Sequence, residues 1–228
     1  MRICLVSPEL FAWGYHGGFG FLTRTLGREF AKRGVETYVV TVRRGEQGEV
    51  EELDGFTVLG YPPHKEQPYV FRSLLSRIDS IEHYRKVDCD LYHSQAVSYN
   101  TLAAQRAMPD RLHLITFQDP YDLDEWRKIS RLDPRYRVTP AFRVRLAAEN
   151  KLLSMACRRA DGLYSQARFL IDKAMRLFGL NRMPTFLPNP VEVPSRSMRK
   201  SGDPKVCFLA RWDPQKRVEA FFELAREF

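Results

Sequence analysis

Residues 1–42 open with Arg2-Ile3-Cys4-Leu5-Val6-Ser7, continue through PELFAWGYHGGFG (8–20) and FLTRTLGREFAKR (21–33), pass Gly34, and close on Glu36-Thr37-Tyr38-Val39-Val40-Thr41-Val42. This stretch decides the fold. A short apolar run, a glycine-rich loop, a helical spacing of Leu22, Leu26 and Phe30, a glycine stop and a second β-branched run are the parts of a strand–helix–strand unit. Two apolar strands joined through a helix lie parallel in a buried sheet.

The same alternation continues outward. Gly48–Tyr61 reads as a hairpin turning at Asp54-Gly55, and Pro62-Pro63 ends it. Val70–Arg85 has helical spacing, Asp90–Ser94 is a short strand, Asn100–Ala107 a helix and Leu112–Phe117 a strand. Residues 121–160 read as helix, interrupted near Asp133-Pro134 and Pro140. Gly162–Ser165 is a strand, Ala167–Phe178 a helix closed by Gly179, and Thr185–Leu187 a last short strand. The expected fold class is α/β, a Rossmann-like doubly wound parallel sheet. Pro188-Asn189-Pro190 opens a stretch rich in proline, serine and charge, read as a linker over 188–204. Beyond it, Lys205–Ala210 and the apolar spacing that follows read as the first β-α unit of a second Rossmann-like domain. The expected domains are therefore 1–187, the linker 188–204, and 205–228 as the start of an incomplete domain.

Composition narrows the function. No run of eighteen apolar residues is present. The cysteines Cys4, Cys89, Cys157 and Cys207 are scattered and form no C-x-x-C pair, so the expectation is no metal site and a reducing, cytoplasmic setting. The charge of +8, from 36 Lys+Arg against 28 Asp+Glu, favours anionic partners. No RNA-binding aromatic signature or zinc finger accompanies it, so nucleic acid is not expected. Arg127, Lys128, Arg131, Arg135, Arg137, Arg143 and Arg145, interleaved with Trp126, Tyr136 and Phe142, could meet an anionic membrane or an anionic acceptor; a solvated helical face is the plainer reading.

In doubly wound sheets, ligands bind beyond the carboxyl ends of the strands. That rule selects four loops: Pro8–Gly20, Gln95–Tyr99, Gln118–Tyr121 and Ala210–Lys216. In Pro8–Gly20, Gly17 and Gly18 let the backbone approach a ligand and present N–H groups at a helix start, which suits a diphosphate. The loop is not G-x-G-x-x-G, and a plain tight turn fits it too. In Ala210–Lys216, Arg211 and Lys216 flank a helix start and could neutralise a departing diphosphate. His93 and Gln118-Asp119 stand at strand ends, where a structural histidine or a turn aspartate is the plainer reading.

Taken in order, the Gly-Gly loop, "ITFQD", "ADGLYSQARFLIDKAMRLFGL", "FLPNPVEVP" and "KVCFLARWDPQKRVEAFFELA" resemble the family 4 glycosyltransferases of the GT-B fold. The resemblance covers the family's N-terminal acceptor-side domain and the first unit of its donor-side domain. It implies retaining transfer of a sugar from a nucleotide-diphosphate donor to an acceptor, without a metal or other cofactor. It puts Arg211, Lys216 and Gln118 in the catalytic machinery, and Gly17, Gly18, Arg211 and Lys216 against the donor phosphates. Tyr15, His16, His93 and Asp119 fall on the acceptor side. From the cysteine usage and the basic patch, the expected location is cytoplasmic, with a peripheral place on the inner membrane face if the patch meets anionic lipid. The sequence departs from the family pattern at four points: Ala167 stands where a serine is usual, Gln118 where histidine is common, Pro190 replaces the glycine of Pro-Asn-Gly, and Ala210 replaces a glycine. The glutamates of the family's donor domain would fall beyond Phe228, so the expectation is a truncated chain with weak turnover. The alternative is a non-catalytic Rossmann-like module that binds a sugar, a phosphate or an anionic membrane; a sugar-nucleotide epimerase ranks third.

Overall fold

The computed structural model describes residues 1–13, 17–43, 46–63, 69–133, 135–191, 193, 202, 205–210 and 216–227, with backbone alone at 69–77. The strands are β1 (Arg2–Val6), β2 (Glu36–Val42), β3 (Val50–Leu53), β4 (Phe56–Tyr61), β5 (Leu91–Ser94), β6 (Leu112–Phe117), β7 (Gly162–Ser165) and β8 (Thr185–Phe186). The helices are α1 (Gly18–Lys32), α2 (Tyr69–Val87), α3 (Tyr99–Ala107), α4 (Leu123–Leu132), α5 (Pro140–Arg159), α6 (Arg168–Phe178) and α7 (Val218–Glu227).

The strands form one sheet in the order β3-β4-β2-β1-β5-β6-β7-β8. Every pairing is parallel except β3–β4, the hairpin at the edge. The hairpin turns where the sequence places it. Asp54 (φ 51°) and Gly55 (φ 86°) both take the left-handed backbone that a two-residue turn requires. The sheet's direction of growth reverses at β1, which pairs with β2 on one side and β5 on the other.

Strand alternation sorts the core. Cys4, Val6, Val40, Tyr92 and Leu59 face Tyr84 and Val87 of α2 and Ala103 and Ala104 of α3. Ile3, Leu5, Val39 and Val58 pack with Leu26 and Phe30 of α1. The approach of α1 is close: a Cβ on Gly27 would lie 2.9 Å from the buried Phe56 ring. Ile115, Phe117 and Leu163 pack with Leu153 and Cys157 of α5 and Ala174 and Phe178 of α6. Burying both faces of apolar strands is the main source of stability here, at roughly 25 cal/mol per Å² of apolar surface.

Contacts divide the chain into two units, Met1–Pro120 with Glu149–Pro190, and Tyr121–Ala148 with Val191–Phe228. The first holds the sheet. In the second, Asp122 caps α4 through a reciprocal pair with Glu125. Trp126 touches Tyr121, Tyr136 and Phe142, at centroid distances of 5.5, 6.3 and 5.3 Å. Lys205–Ala210, read from sequence as a strand, joins no ladder among the described residues. Its apolar pattern is local, whereas a strand needs a neighbour to take its backbone hydrogen bonds. The helix after it does form, as α7, and Phe208 stacks on its Phe221 at 5.2 Å.

Candidate functional site

The parallel strands end along one rim. Ser7 follows β1, Gln95 follows β5, Gln118 follows β6, Gln166 follows β7 and Asn189 lies three residues past β8. The crevice of such a sheet lies where its order reverses, between β1 and β5.

At that crevice α1 begins. Gly17 is its N-cap residue, and no acidic residue occupies its first turn. The Gly17 N–H donates to Glu9 Oε2 at 2.7 Å. A side chain at 17 would press on that carboxylate, since a Cβ would sit 3.0 Å from Glu9 Oε2. A Cβ on Gly18 would meet nothing within 4 Å, so the backbone there is open to approach. The positive end of α1 thus already holds one internal anion, as helix N-termini favour. Glu9 had no part in the sequence reading, because a carboxylate eight residues upstream of a glycine carries no pattern.

On β5, His93 is partly buried and its Nε2 lies 2.8 Å from Thr116 Oγ1 of β6. Burial pushes the imidazole down to about 4, so it is neutral at physiological pH. Gln95 continues the ladder, its N–H donating to Val6 O at 3.0 Å. It is 1% exposed, and its amide Nε2 has no hydrogen-bond partner among the described residues.

Further along the rim the amides close on one another. Gln118 Nε2 donates to Asn189 Oδ1 at 3.1 Å, and Asn189 Nδ2 donates back to Gln118 Oε1 at 2.9 Å. Asn189 Nδ2 also donates to Gln166 Oε1 at 2.8 Å, and Gln166 Nε2 donates to the Gln118 carbonyl. Gln118, expected as a catalytic residue, is buried within this clasp, which ties the ends of β6 and β7 to the segment after β8. Neither glutamine nor asparagine ionises, so the clasp holds shape and carries no proton.

The remaining expected residues are dispersed. Asp119 is exposed and reaches Lys173 of α6 at 3.5 Å. Lys216 is exposed, just ahead of α7. Tyr15, His16 and Arg211 lie outside the described residues. Gly17, Gly18, His93 and Gln118 all belong to the sheet-bearing unit, the glycines at the start of α1, His93 on β5 and Gln118 just past β6. Among the described residues no group of three or more His, Cys, Asp or Glu could hold a metal ion.

A sheet that reverses at β1, with a glycine-capped helix opening on the reversal, defines a Rossmann-like ligand-binding domain. Residues 16–193 match the model of Glycosyltransferase Family 4, and the chain belongs to that family. The matched span holds the start of α1, the ends of β5 to β8 and the amide clasp. It is therefore a glycosyltransferase domain in the general sense, one that serves a sugar donor and an acceptor. No curated protein matches the chain. Among solved structures, MurG of Acinetobacter baumannii is similar over 82% of this chain and 67% of that one, at 12% identity and TM-score 0.38. A DNA/pantothenate metabolism flavoprotein of Streptococcus pneumoniae is similar over 60% of this chain and 76% of that one, at 13% identity and TM-score 0.31. The fold itself is read from the sheet, not from these distant likenesses.

Proposed function

We propose that the chain serves a retaining transfer of a sugar from a nucleotide-diphosphate donor to an acceptor, with the sheet-bearing unit contributing the acceptor side. The observation that carries this reading is the open, glycine-built start of α1 at the sheet's reversal point, inside the span that matches the family. Backbone N–H groups there suit a phosphate oxygen, and Arg211 with Lys216 supplies the cations that offset charge on the leaving diphosphate. Charge handled in this way needs no resident metal. His93 stays neutral and serves by hydrogen bonding, and in this reading Asp119, Tyr15 and His16 serve the acceptor. Gln118 contributes a fixed amide, with one hydrogen and one lone pair left over from the clasp.

Transfer of labelled sugar from a panel of nucleotide-diphosphate sugars tests the reading, using this chain and a version continued through a full donor domain. Labelled product that survives Arg211→Ala with Lys216→Ala would remove the cations from the mechanism. No product from any donor, with the fold intact, would favour a non-catalytic module.

The second unit supports a partner. Arg127, Lys128, Arg131, Arg135, Arg137, Arg143 and Arg145 are exposed around the Trp126 cluster, with Tyr136 46% and Val144 71% exposed. Cations beside aromatic and aliphatic surface suit the cytoplasmic face of an anionic membrane. No helix among the described residues is long and apolar enough to cross one. Co-sedimentation with phosphatidylglycerol vesicles, but not with phosphatidylcholine vesicles, is the expected result; equal binding to both would remove the electrostatic partner.

A further inference from the structure

Gln95 is the one rim glutamine that the clasp does not use. Its residue is 1% exposed, and its Nε2 has no partner among the described residues. A buried amide hydrogen left unbonded costs about 1–3 kcal/mol, so native proteins keep few of them. Its position is specific. Leu5 lies opposite His93 and Val6 opposite Ser94, and the Gln95 N–H bonds Val6 O, one step beyond. Tyr92 and Val6 turn to the side of α2 and α3, as does Ser94 opposite Val6. Alternation carries His93 and Gln95 to the other side, that of Leu5 and α1. The unpartnered amide therefore stands at the end of β5, next in register to Ser7, on the side from which α1 opens.

The neighbouring groups define what would fit. Ser7 Oγ is occupied with Glu9 O at 2.8 Å, and His93 Nε2 with Thr116 Oγ1. Hydroxyl, amide and neutral imidazole line this corner, and Glu9 adds negative charge at the start of α1. Such a corner favours a neutral oxygen that can both accept and donate, and it disfavours a second anion. We infer that Gln95 is a ligand-contacting residue whose Nε2 donates to a hydroxyl oxygen of an uncharged, polyhydroxylated acceptor seated in the β1–β5 crevice. The inference deepens the transferase reading by naming the acceptor's class, and it requires only binding.

The test is saturation-transfer NMR on the 228-residue chain with unphosphorylated hexoses and hexitols, set against the matching hexose 1-phosphates, together with thermal melts. The neutral compounds should bind and the phosphates should bind more weakly. Gln95→Leu and the closer-shaped Gln95→Met should each weaken binding by about tenfold, the worth of one well-made hydrogen bond to a buried donor. Neither variant should lower Tm, because each removes an unpaired polar group from a buried site. A clear fall in Tm in both variants would mean that the amide has a structural partner, and would overturn the inference. So would unchanged binding in both, a preference for the phosphates, or no binding by any compound. Failure of the transferase reading looks different: neutral sugars would bind in a Gln95-dependent way, yet no nucleotide sugar would give product.

Discussion

Three neighbouring strands, β5, β6 and β7, each run straight into a glutamine, yet the amides have different fates. Gln118 and Gln166 are closed by Asn189 into a clasp in which each amide both donates and accepts. Gln95, two strands away from Gln166, is more deeply buried and has a nitrogen with no partner among the described residues. The difference separates architecture from function along one rim. The satisfied amides hold strand ends in place, and the unsatisfied one carries a cost that a ligand can remove.

The largest effect should come from opening the clasp. Asn189→Ala leaves Gln118 and Gln166 without their shared partner and should cost roughly 2–3 kcal/mol in denaturant unfolding. A loss below about 0.5 kcal/mol would show that water replaces Asn189 at no cost, and the contrast with Gln95 would collapse. Next is the pH response of the crevice. His93 has a folded pKa of about 4 against an ordinary 6.5, so between those values the unfolded chain binds a proton that the folded chain refuses. Stability should be full above about pH 6.5 and fall as pH drops toward 4, by roughly 3 kcal/mol, and His93→Gln should flatten that part of the profile. An equally steep profile in the variant would place the titration elsewhere. A smaller effect is expected at the start of α1. Glu9→Ala removes a carboxylate hydrogen-bonded to the Gly17 N–H and should cost about 1 kcal/mol. The same change should tighten binding of inorganic phosphate or a nucleoside diphosphate, because the internal anion no longer competes; unchanged affinity would separate Gly17 from the phosphate site.

Much of the fold was legible because its signals are local. The run Glu36–Val42 became β2 with the same bounds, and Asp54-Gly55 specified its turn through two positive φ angles. Gly179 ends α6 in the left-handed region, as a glycine stop should. Lys205–Ala210 shows the limit, since an apolar pattern cannot supply the partner strand that a ladder needs. The site was legible only in part. Gly17, Gly18, His93 and Gln118 follow from the strand-end rule, but Gln118 meets its partner across 71 positions of sequence. Glu9 and Gln95 lie in loops that the same rule selects, Pro8–Gly20 and Gln95–Tyr99, but neither is given a role there, although glutamine directly after Ser94, Phe117 and Ser165 is a repeated signal that marks the rim.

The clasp also bears on how the molecule ages. Asparagine deamidates when the backbone nitrogen of the next residue attacks its side-chain carbonyl, and asparagine before glycine is the most vulnerable. Asn189 is followed by Pro190, whose nitrogen carries no hydrogen and cannot close that ring. The protection falls where it matters, because an aspartate at 189 could not donate, and its carboxylate would face Gln118 Oε1 and Gln166 Oε1. Pro190→Gly should therefore give a chain that begins sound and loosens on storage, with loss of stability tracking the mass change of deamidation at 189. A variant that holds its mass and its Tm through prolonged incubation would show that the clasp shields Asn189 without help from the proline.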